Sequence, residues 1–344
     1  MGFVKTHDIA ELDTSNIGKQ VVLGGWVEDL RKLGKMTFIT LRDVSGISQI
    51  IVKGELNDNL GEINRQSVIS VKGIVQETKA RDFAFEIKAE EIEVLAKAIH
   101  PLPVDPIGRV ESNIDTRLNH RALDMRNQKT ASIFKLRHFV LETLRKTLSE
   151  KKFIEITTPK IIGSASEGGA NLFSLDYFGK TAYLAQSPQL YKEQMTIGLE
   201  RVYEISNFYR AENSHTGRHL SEFTSVDIEA AFMDYNDVMN RIEEIIKISI
   251  ETVNEYVKNN SDSEFIIPPL PECIPRYSYN ELVEKMQKVG AKTEWGDDLY
   301  PSNLKKIGVE GFYFIKDWPL GPKPFYVKDS KTNPKISESF DLMF

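Results

Sequence analysis

The stretch RVYEISNFYRAENSHTGRHLSEFTSVDIEAAF, residues 201–232, decides the fold class of the second half of the chain. It predicts two antiparallel strands joined by a polar loop of about six residues at positions 213–218. Side chains alternate along a strand, so one face carries two matching rows: Glu204, Ser206, Phe208, Arg210 and Glu212, and His219, Ser221, Phe223, Ser225, Asp227 and Glu229. Because unpaired buried charges are costly, we expect this face to form a binding site; the alternative is a solvated sheet face with exposed ion pairs.

Upstream of this hairpin, residues 19–95 predict a small barrel of five short strands. The strands are QVVLGGWVEDL, KMTFITLRD, ISQIIVKG, SVISVKGIVQE and FAFEIKAEEIEVL, with glycine-containing turns between them. In the second strand a period of two places Ile39 and Leu41 on one face and Phe38 on the other. We therefore expect Phe38 to point away from the barrel core, with a core position as the alternative.

The rest of the chain alternates helical and strand patterns, which together predict an α+β fold. Residues 97–128 are proline-rich and charged, and predict an ordered linker. An amphipathic helix follows, with apolar residues at Ile133, Leu136, Val140, Leu144 and Leu148. FIEITTPKI predicts a short strand stopped by Pro159, residues 236–258 a second helix, and FYFIKDWPLGPKPFYVKD and SESFDLMF further strands.

Composition narrows the class of protein. The 344 residues are enough for two domains, and no apolar run approaches membrane-spanning length. The first residues lack the apolar segment of a signal peptide. A net charge of −6 restricts any RNA-binding surface to local patches such as RKLGK at 31–35. The single cysteine, Cys273, excludes an internal disulfide and a cysteine-based zinc site, which indicates the cytoplasm.

The hairpin at 201–232 closely resembles motif 2 of the class II aminoacyl-tRNA synthetases, and resemblance to the aspartyl branch runs through the whole chain. The matching segments are GGWVEDLRKLGKMTFITLRDVSGISQI, IDTRLNHRALDMRN, FIEITTPKI, SASEGGANLF, AQSPQLYKE, KPFYVKD and SESFDLMF. The resemblance implies an anticodon-binding OB-fold barrel at 1–100, a hinge at 101–128, and a class II catalytic domain at 129–344. That domain would contain an antiparallel sheet flanked by helices.

The resemblance also implies an activity: ATP-dependent activation of L-aspartate to aspartyl-adenylate, followed by transfer to tRNA, with Mg²⁺ accompanying ATP. Arg210 would grip the α-phosphate and the carboxylate, and Glu212 would orient ATP. The nucleotide side of the motif 2 loop would be lined by Arg218, His219 and Leu220. Phe223 would stack on adenine, with a core phenylalanine as the alternative.

The aspartate site implied by the resemblance lies in two other segments. Glu167, between flexible glycines, would close over the substrate. Gln189 and Lys192 would hold the amino acid, and Asp227 would support its ammonium group. Lys192 supplies the positive charge that a side-chain carboxylate requires, whereas asparagine would not need that charge.

Three residues of the barrel are implied in anticodon recognition, and one residue in dimerisation. Phe38 would stack on a base, Gln49 would read a base edge, and Arg31 would reach the backbone. An ordinary surface role for Gln49 is the alternative. Pro159 would lie at the interface of a homodimer.

The sequence departs from the family pattern in two places. Selective and relaxed archaeal members differ near Glu28 and residues 80–82, and neither pattern is present, so tRNA(Asp) and tRNA(Asn) both stay candidate substrates. The family's metal-binding acid and motif 3 would lie beyond Phe344. We therefore expect no metal ligand within the 344 residues, and no adenylate formation by this chain alone. Asparaginyl-tRNA synthetase and a non-catalytic tRNA-binding protein are the competing interpretations.

Overall fold

The structure is a computed structural model and describes residues 4–61, 63–166, 171–212, 220–259 and 265–344. The chain divides into two compact units, Met1–Ala131 and Ser132–Phe344. No helix of the described residues is long and apolar enough to cross a membrane.

The first unit contains the predicted five-stranded barrel. Its strands are β1 (Gln20–Leu33), β2 (Met36–Arg42), β3 (Ile47–Lys53), β4 (Val68–Gln76) and β5 (Glu86–Ala96). They close in the order β1-β2-β3-β5-β4, and the β3–β5 pair is parallel while the other pairs are antiparallel. The helical elements are two short 3-10 helices (Ile9–Glu11 and Thr14–Asn16), α1 (Glu55–Asp58), α2 (Ile114–Asn119) and α3 (Arg121–Asp124).

The barrel core follows from the alternation of buried and exposed side chains, which is most regular in β1 and β2. The fully buried members of the core are Leu23, Val27, Ile39, Leu41, Ile50, Val52, Ile69, Val71, Val75 and Ile87. Two glycines allow strands to cross closely: a Cβ atom at Gly25 would lie 2.4 Å from the Arg42 carbonyl oxygen, and one at Gly73 would lie 2.4 Å from the Lys88 carbonyl oxygen. Any larger residue would push these strands apart.

A buried aspartate fixes the turn between β2 and β3. Asp43 Oδ1 accepts hydrogen bonds from the backbone N–H groups of Ser45 and Gly46, and Oδ2 accepts from the Ile9 N–H and from Lys5 Nζ. Although burial opposes ionisation, the hydrogen bonds from Lys5, Ser45 and Ile9 lower the pKa of Asp43 from 3.8 to about 2. The carboxylate therefore ties the N-terminal segment to the barrel.

The predicted linker at 97–128 lies in the first unit and contains α2 and α3. Asp124 is buried and accepts hydrogen bonds from Arg117 Nε at 2.8 Å and Arg121 at 3.3 Å. The guanidinium of Arg126 lies 5.3 Å from the centre of the Trp26 ring. The segment is ordered, as predicted, but its two short helices were not predicted because its apolar periodicity is weak.

The second unit is built from five helices and nine strands in its described part. The helices are α4 (Gln128–Glu150), whose first residues precede the unit boundary, α5 (Gln189–Leu199), α6 (Tyr235–Asn259), α7 (Tyr279–Lys288) and α8 (Pro301–Lys306). The strands are β6 (Ile154–Glu155), β7 (Ile161–Ile162), β8 (Ser174–Tyr177), β9 (Lys180–Leu184), β10 (Arg201–Tyr209), β11 (Glu222–Ala230), β12 (Arg276–Ser278), β13 (Tyr313–Lys316) and β14 (Phe340–Met343).

The α+β class is confirmed, but the strands of the second unit are divided differently from the expectation. Instead of one antiparallel sheet, the described strands form three sheets of three strands, β11-β10-β6, β7-β9-β8 and β12-β13-β14. The β6–β10 and β12–β13 pairs are parallel. The segment FYFIKDWPLGPKPFYVKD contributes only β13, because Asp317 has a φ of 61° and the prolines that follow cannot donate to a strand ladder.

The hairpin β10–β11 separates two environments. One face packs on helices through a cluster of Leu148, Phe153, Tyr203 and Ile245. The opposite face carries the polar row that includes Glu204 and Asp227. A separate cluster around Tyr279, Leu282, Met286 and Ile315 forms the core of the region with α7, α8 and β13.

Candidate functional site

The hairpin β10–β11 is present, as predicted, and its strands pair antiparallel. Glu204 lies opposite Asp227, Ser206 opposite Ser225, and Phe208 opposite Phe223. Residues directly opposite one another in an antiparallel pair share a face, so the predicted common face of these side chains is confirmed. The predicted loop at 213–218 lies outside the described residues.

Lys192 stands at the centre of a charged cluster on this face. It lies in the first turns of α5 and is 8% exposed, and its Nζ is 3.3 Å from Asp227 Oδ1 and 3.6 Å from Glu229 Oε2. Burial raises the pKa of Glu229, while Lys192 opposes the shift. One lysine therefore faces two carboxylates in a protected position.

Gln189 begins α5 one turn before Lys192, and its Nε2 donates a hydrogen bond to Glu193 at 2.6 Å. The structure thus brings together three of the four described residues predicted for the amino acid, Gln189, Lys192 and Asp227; the fourth is Arg210. Asp227 Oδ2 is buried and makes no hydrogen bond to any described residue. The strand pattern placed Glu229 on the predicted face, but no role was predicted for it. Nothing in the local sequence indicates its contact with Lys192.

Arg210 follows directly after β10. Its backbone N–H donates to the Ser221 carbonyl at 3.0 Å, and its guanidinium lies 5.5 Å from the centre of the Phe223 ring. Phe223 is half-buried and packs against a small cluster with Phe208, so part of the ring belongs to the core, as the alternative interpretation proposed. Glu212 is half-buried, and Leu220 is exposed.

Three predicted residues, Glu167, Arg218 and His219, lie outside the described residues. The described neighbours of Glu167 are fixed to the site. Ser166 Oγ donates to the Ser187 carbonyl at 2.7 Å, just before α5, and the Asn171 carbonyl accepts from the Ala211 N–H at 2.8 Å.

Pro159 is exposed, and buried hydrogen bonds hold both of its neighbours. Glu204 accepts hydrogen bonds from Thr158 and from Lys160. Two isoleucines near Pro159, Ile154 and Ile161, are about half exposed, at 47% and 49%. The segment around Pro159 therefore has exposed apolar side chains, and the hydrogen bonds to Glu204 hold it in place.

The barrel has a groove of about 1220 Å³ that is lined by all three residues predicted there, Arg31, Phe38 and Gln49. Phe38 is half-buried while Ile39 and Leu41 are in the core, so the prediction that Phe38 points away from the core is confirmed. Glu28 and residues 80–82, where the family pattern was ambiguous, line the same groove.

A buried glutamate in the groove wall was missed by the sequence analysis. Glu86 is 6% exposed and accepts hydrogen bonds from Gln49 Nε2 at 2.9 Å, Gln76 Nε2 at 2.6 Å and Thr78 Oγ1 at 3.0 Å. Its strand contains several other glutamates with the same local pattern, so no signal in the sequence distinguishes it.

A closed OB-type barrel in the first unit and a charged antiparallel hairpin in the second are the two features that define the class of protein, a class II tRNA synthetase. Residues 113–344 match the family of class II tRNA synthetases (D, K and N), and residues 21–95 match the OB-fold nucleic acid binding domain. The chain belongs to this class II synthetase family.

Individual relatives are close to the chain over nearly its whole length. The aspartate–tRNA(Asp/Asn) ligase of Sulfurisphaera tokodaii is 44% identical, over 99% of this chain and 81% of that protein. The aspartate–tRNA(Asp) ligase of Picrophilus torridus is 41% identical, over 97% of this chain and 79% of that protein. The crystal structure of asparaginyl-tRNA synthetase from Pyrococcus horikoshii complexed with asparaginyl-adenylate is 30% identical with a TM-score of 0.90, over 99% of this chain and 80% of that chain.

Proposed function

We propose that this protein attaches L-aspartate to tRNA(Asp), with tRNA(Asn) as a second candidate, through an aspartyl-adenylate intermediate. The observation that carries the proposal is the position of Lys192, a protected cation on the polar face of the hairpin, 3.3 Å from Asp227. The names of the relatives from Sulfurisphaera tokodaii and Picrophilus torridus support aspartate as the amino acid.

The proposed reaction has two steps and uses no side-chain nucleophile. The aspartate α-carboxylate attacks the α-phosphorus of ATP and displaces pyrophosphate, which forms the mixed anhydride. A hydroxyl of the terminal tRNA ribose then attacks the carbonyl carbon, and AMP leaves. The protein contributes orientation and neutralisation of the charge that develops on the phosphate.

Arg210 is suited to the phosphate because its planar guanidinium can donate two parallel hydrogen bonds to an anion. The Phe223 ring holds this guanidinium from below at 5.5 Å. Phe223 would also stack on adenine, and Glu212 would orient ATP; Arg218, His219 and Leu220 complete the proposed nucleotide site.

The choice between aspartate and asparagine rests on charge. A substrate carboxylate can pair with Lys192 and would share it with Asp227 and Glu229, whereas a neutral amide gains less from that cation. The likeness to an asparaginyl-tRNA synthetase favours the alternative amino acid, but at 30% identity it is weaker than the 44% identity to an aspartate ligase. Gln189 and Glu167 would complete the aspartate site.

Mg²⁺ would accompany ATP and neutralise charge on its phosphates. Among the described residues no group of three or more His, Cys, Asp and Glu side chains is placed to hold a metal ion.

The groove of the barrel is the proposed anticodon site. Phe38 offers a ring for base stacking, Gln49 a side-chain amide for a base edge, and Arg31, which is 77% exposed, a cation for the backbone. A non-catalytic tRNA-binding protein would need only this groove. The intact cluster around Lys192 and the placement of Arg210 favour an enzyme.

We also propose a homodimer that forms near Pro159, and a cytoplasmic location. The exposed Ile154 and Ile161 support the interface because half-exposed apolar side chains on either side of Pro159 favour burial by a second copy. The lone cysteine, Cys273, fits a reducing compartment.

Equilibrium dialysis of the protein with labelled L-aspartate in the presence of Mg²⁺ and ATP tests the choice of amino acid. We expect the protein to retain labelled aspartate, and unlabelled aspartate to displace it. A tenfold excess of asparagine should leave most of the label bound, because it offsets a difference in binding free energy of only roughly 1.4 kcal/mol. Displacement by asparagine at equal concentration would support the asparaginyl alternative instead.

A further inference from the structure

Glu204 is a buried carboxylate that the proposed reaction does not use. It is 2% exposed, and three hydrogen bonds satisfy it: from the Thr158 N–H at 3.0 Å, from Thr158 Oγ1 at 2.7 Å and from Lys160 Nζ at 2.6 Å. Among the described residues Glu204 is the only carboxylate that Lys160 contacts. Glu204 and Lys160 thus form a closed, neutral ion pair.

The pair lies beside the proposed aspartate site. Glu204 is directly opposite Asp227 on the hairpin, and like charges in such a cross-strand pair repel one another. Lys160 binds Glu204, whereas Lys192 binds Asp227 and also faces Glu229. The two lysines come from different segments: Lys160 directly precedes β7, and Lys192 lies in α5.

Lys160 also reaches the aromatic part of the same face. Its Nζ is 4.1 Å from the centre of the Phe208 ring, and Phe208 lies opposite Phe223, the ring that holds the Arg210 guanidinium. Two cations therefore lie over two neighbouring rings. If Glu204 did not neutralise it, Lys160 would be a second positive charge on the face of the hairpin that carries Asp227 and Arg210.

We propose that Glu204 and Lys160 are positioning residues of the adenylate site, and that their mutual neutralisation, rather than either side chain alone, sets the affinity for the aspartyl-adenylate. The proposal rests on the proposed function, since it assumes that Lys192, Asp227 and Arg210 hold this intermediate. Without Glu204, Lys160 competes with Lys192 for Asp227. Without Lys160, an unbalanced Glu204 repels Asp227 in a protected environment.

A double-mutant cycle with isothermal titration calorimetry tests the proposal, with aspartyl-sulfamoyl-adenosine, a non-hydrolysable mimic of the adenylate, as the probe. We expect Glu204→Gln and Lys160→Met each to weaken binding by about tenfold, and the double variant to return to within roughly threefold of the wild type. A purely structural role predicts instead that the variants lower the melting temperature while the affinity of the folded protein for the mimic stays that of the wild type.

Glu243→Gln is the matched control. Glu243 is also a buried glutamate of the second unit that accepts from a backbone N–H, that of Ile274, and pairs with Lys247 and Arg276. We expect it to lower the melting temperature without changing the affinity for the mimic. If Glu204→Gln does not fold, the coupling can be measured from the other side of the cycle. It is then the gain in affinity for the mimic when Glu204→Gln is added to Lys160→Met.

The possible outcomes distinguish a failure of the proposed function from a failure of the positioning role alone. Wild-type protein that fails to bind the mimic would overturn the proposed function. Wild-type binding together with unchanged binding by both single variants, or with a double variant weaker than either, would overturn the positioning role alone.

Discussion

The side-chain amide of Gln49 donates a hydrogen bond to the buried carboxylate of Glu86 across 2.9 Å in the groove of the barrel. An ionised carboxylate only accepts hydrogen bonds, so the amide must present its NH₂ group to Glu86. The Gln49 carbonyl oxygen is then available as an acceptor for a base. The glutamine is held in one orientation before any RNA binds.

Phe38→Ala and Gln49→Ala are expected to weaken tRNA binding while leaving adenylate-mimic binding unchanged. Loss of one stacked base costs roughly 1 to 3 kcal/mol, so Phe38→Ala should reduce tRNA affinity by about 5- to 150-fold. Filter binding at low salt measures the effect. Lys72→Ala is the control, because Lys72 pairs with Glu91 and does not line the groove. A large loss of mimic binding in either groove variant would contradict the assignment.

Lys192→Met should damage recognition of the aspartyl side chain. Removing the cation leaves two protected carboxylates facing the substrate carboxylate, and we expect the affinity for aspartyl-sulfamoyl-adenosine to fall by about 100-fold, or ~2.7 kcal/mol. The asparaginyl mimic should lose less. Lys285→Met, which breaks only a surface pair with Glu281, is the control for a lost lysine. Equal losses for the two mimics would mean that Lys192 does not read the side-chain charge.

Arg210→Ala should nearly abolish binding of the mimic and leave tRNA affinity intact. One preorganised electrostatic contact is worth on the order of 3 to 4 kcal/mol, which corresponds to a loss of at least about 100-fold. Calorimetry and filter binding measure the two effects on the same preparation. Arg145→Ala removes an exposed pair with Glu155 and should change neither. Retention of more than about a tenth of wild-type affinity would contradict the role of Arg210.

Asp43 should make the stability of the barrel depend on pH in acid. Its pKa is about 2 in the folded state against 3.8, so the stabilisation is complete above about pH 5 and is lost as pH falls towards 2. Between pH 5 and pH 2 we expect the free energy of unfolding of the wild type to fall by on the order of 2 kcal/mol relative to that of Asp43→Asn. Urea unfolding followed by Trp26 fluorescence, with Trp295 and Trp318 replaced by Phe in both proteins, measures the difference. If the difference in free energy of unfolding between the two proteins were the same at pH 5 and at pH 2, Asp43 would not be the titrating group.

Local patterns predicted the elements whose signal lies within a few residues. The alternation of buried and exposed positions in β2 was sufficient to separate Phe38 from Ile39, and the pattern at 201–232 gave the shared face of Glu204 and Asp227. In both cases the period of the strand itself determines which side chains lie together.

Contacts between distant segments were not predictable in the same way. Glu86 is selected among the glutamates of β5 by the parallel pairing of β5 with β3, which places it opposite Gln49. Glu204 meets Thr158 and Lys160 because the parallel β6–β10 pair brings that segment alongside β10. Such pairings depend on tertiary structure, and a single strand pattern does not encode its neighbour.

Binding of aspartyl-sulfamoyl-adenosine and of asparaginyl-sulfamoyl-adenosine to the wild-type protein shows which amino acid the site around Lys192 selects. The two mimics differ only in the side-chain carboxylate or amide that would meet Lys192. We predict that calorimetry gives at least about tenfold tighter binding of the aspartyl mimic, a difference of ~1.4 kcal/mol. Equal or tighter binding of the asparaginyl mimic would contradict the claim that this protein selects aspartate.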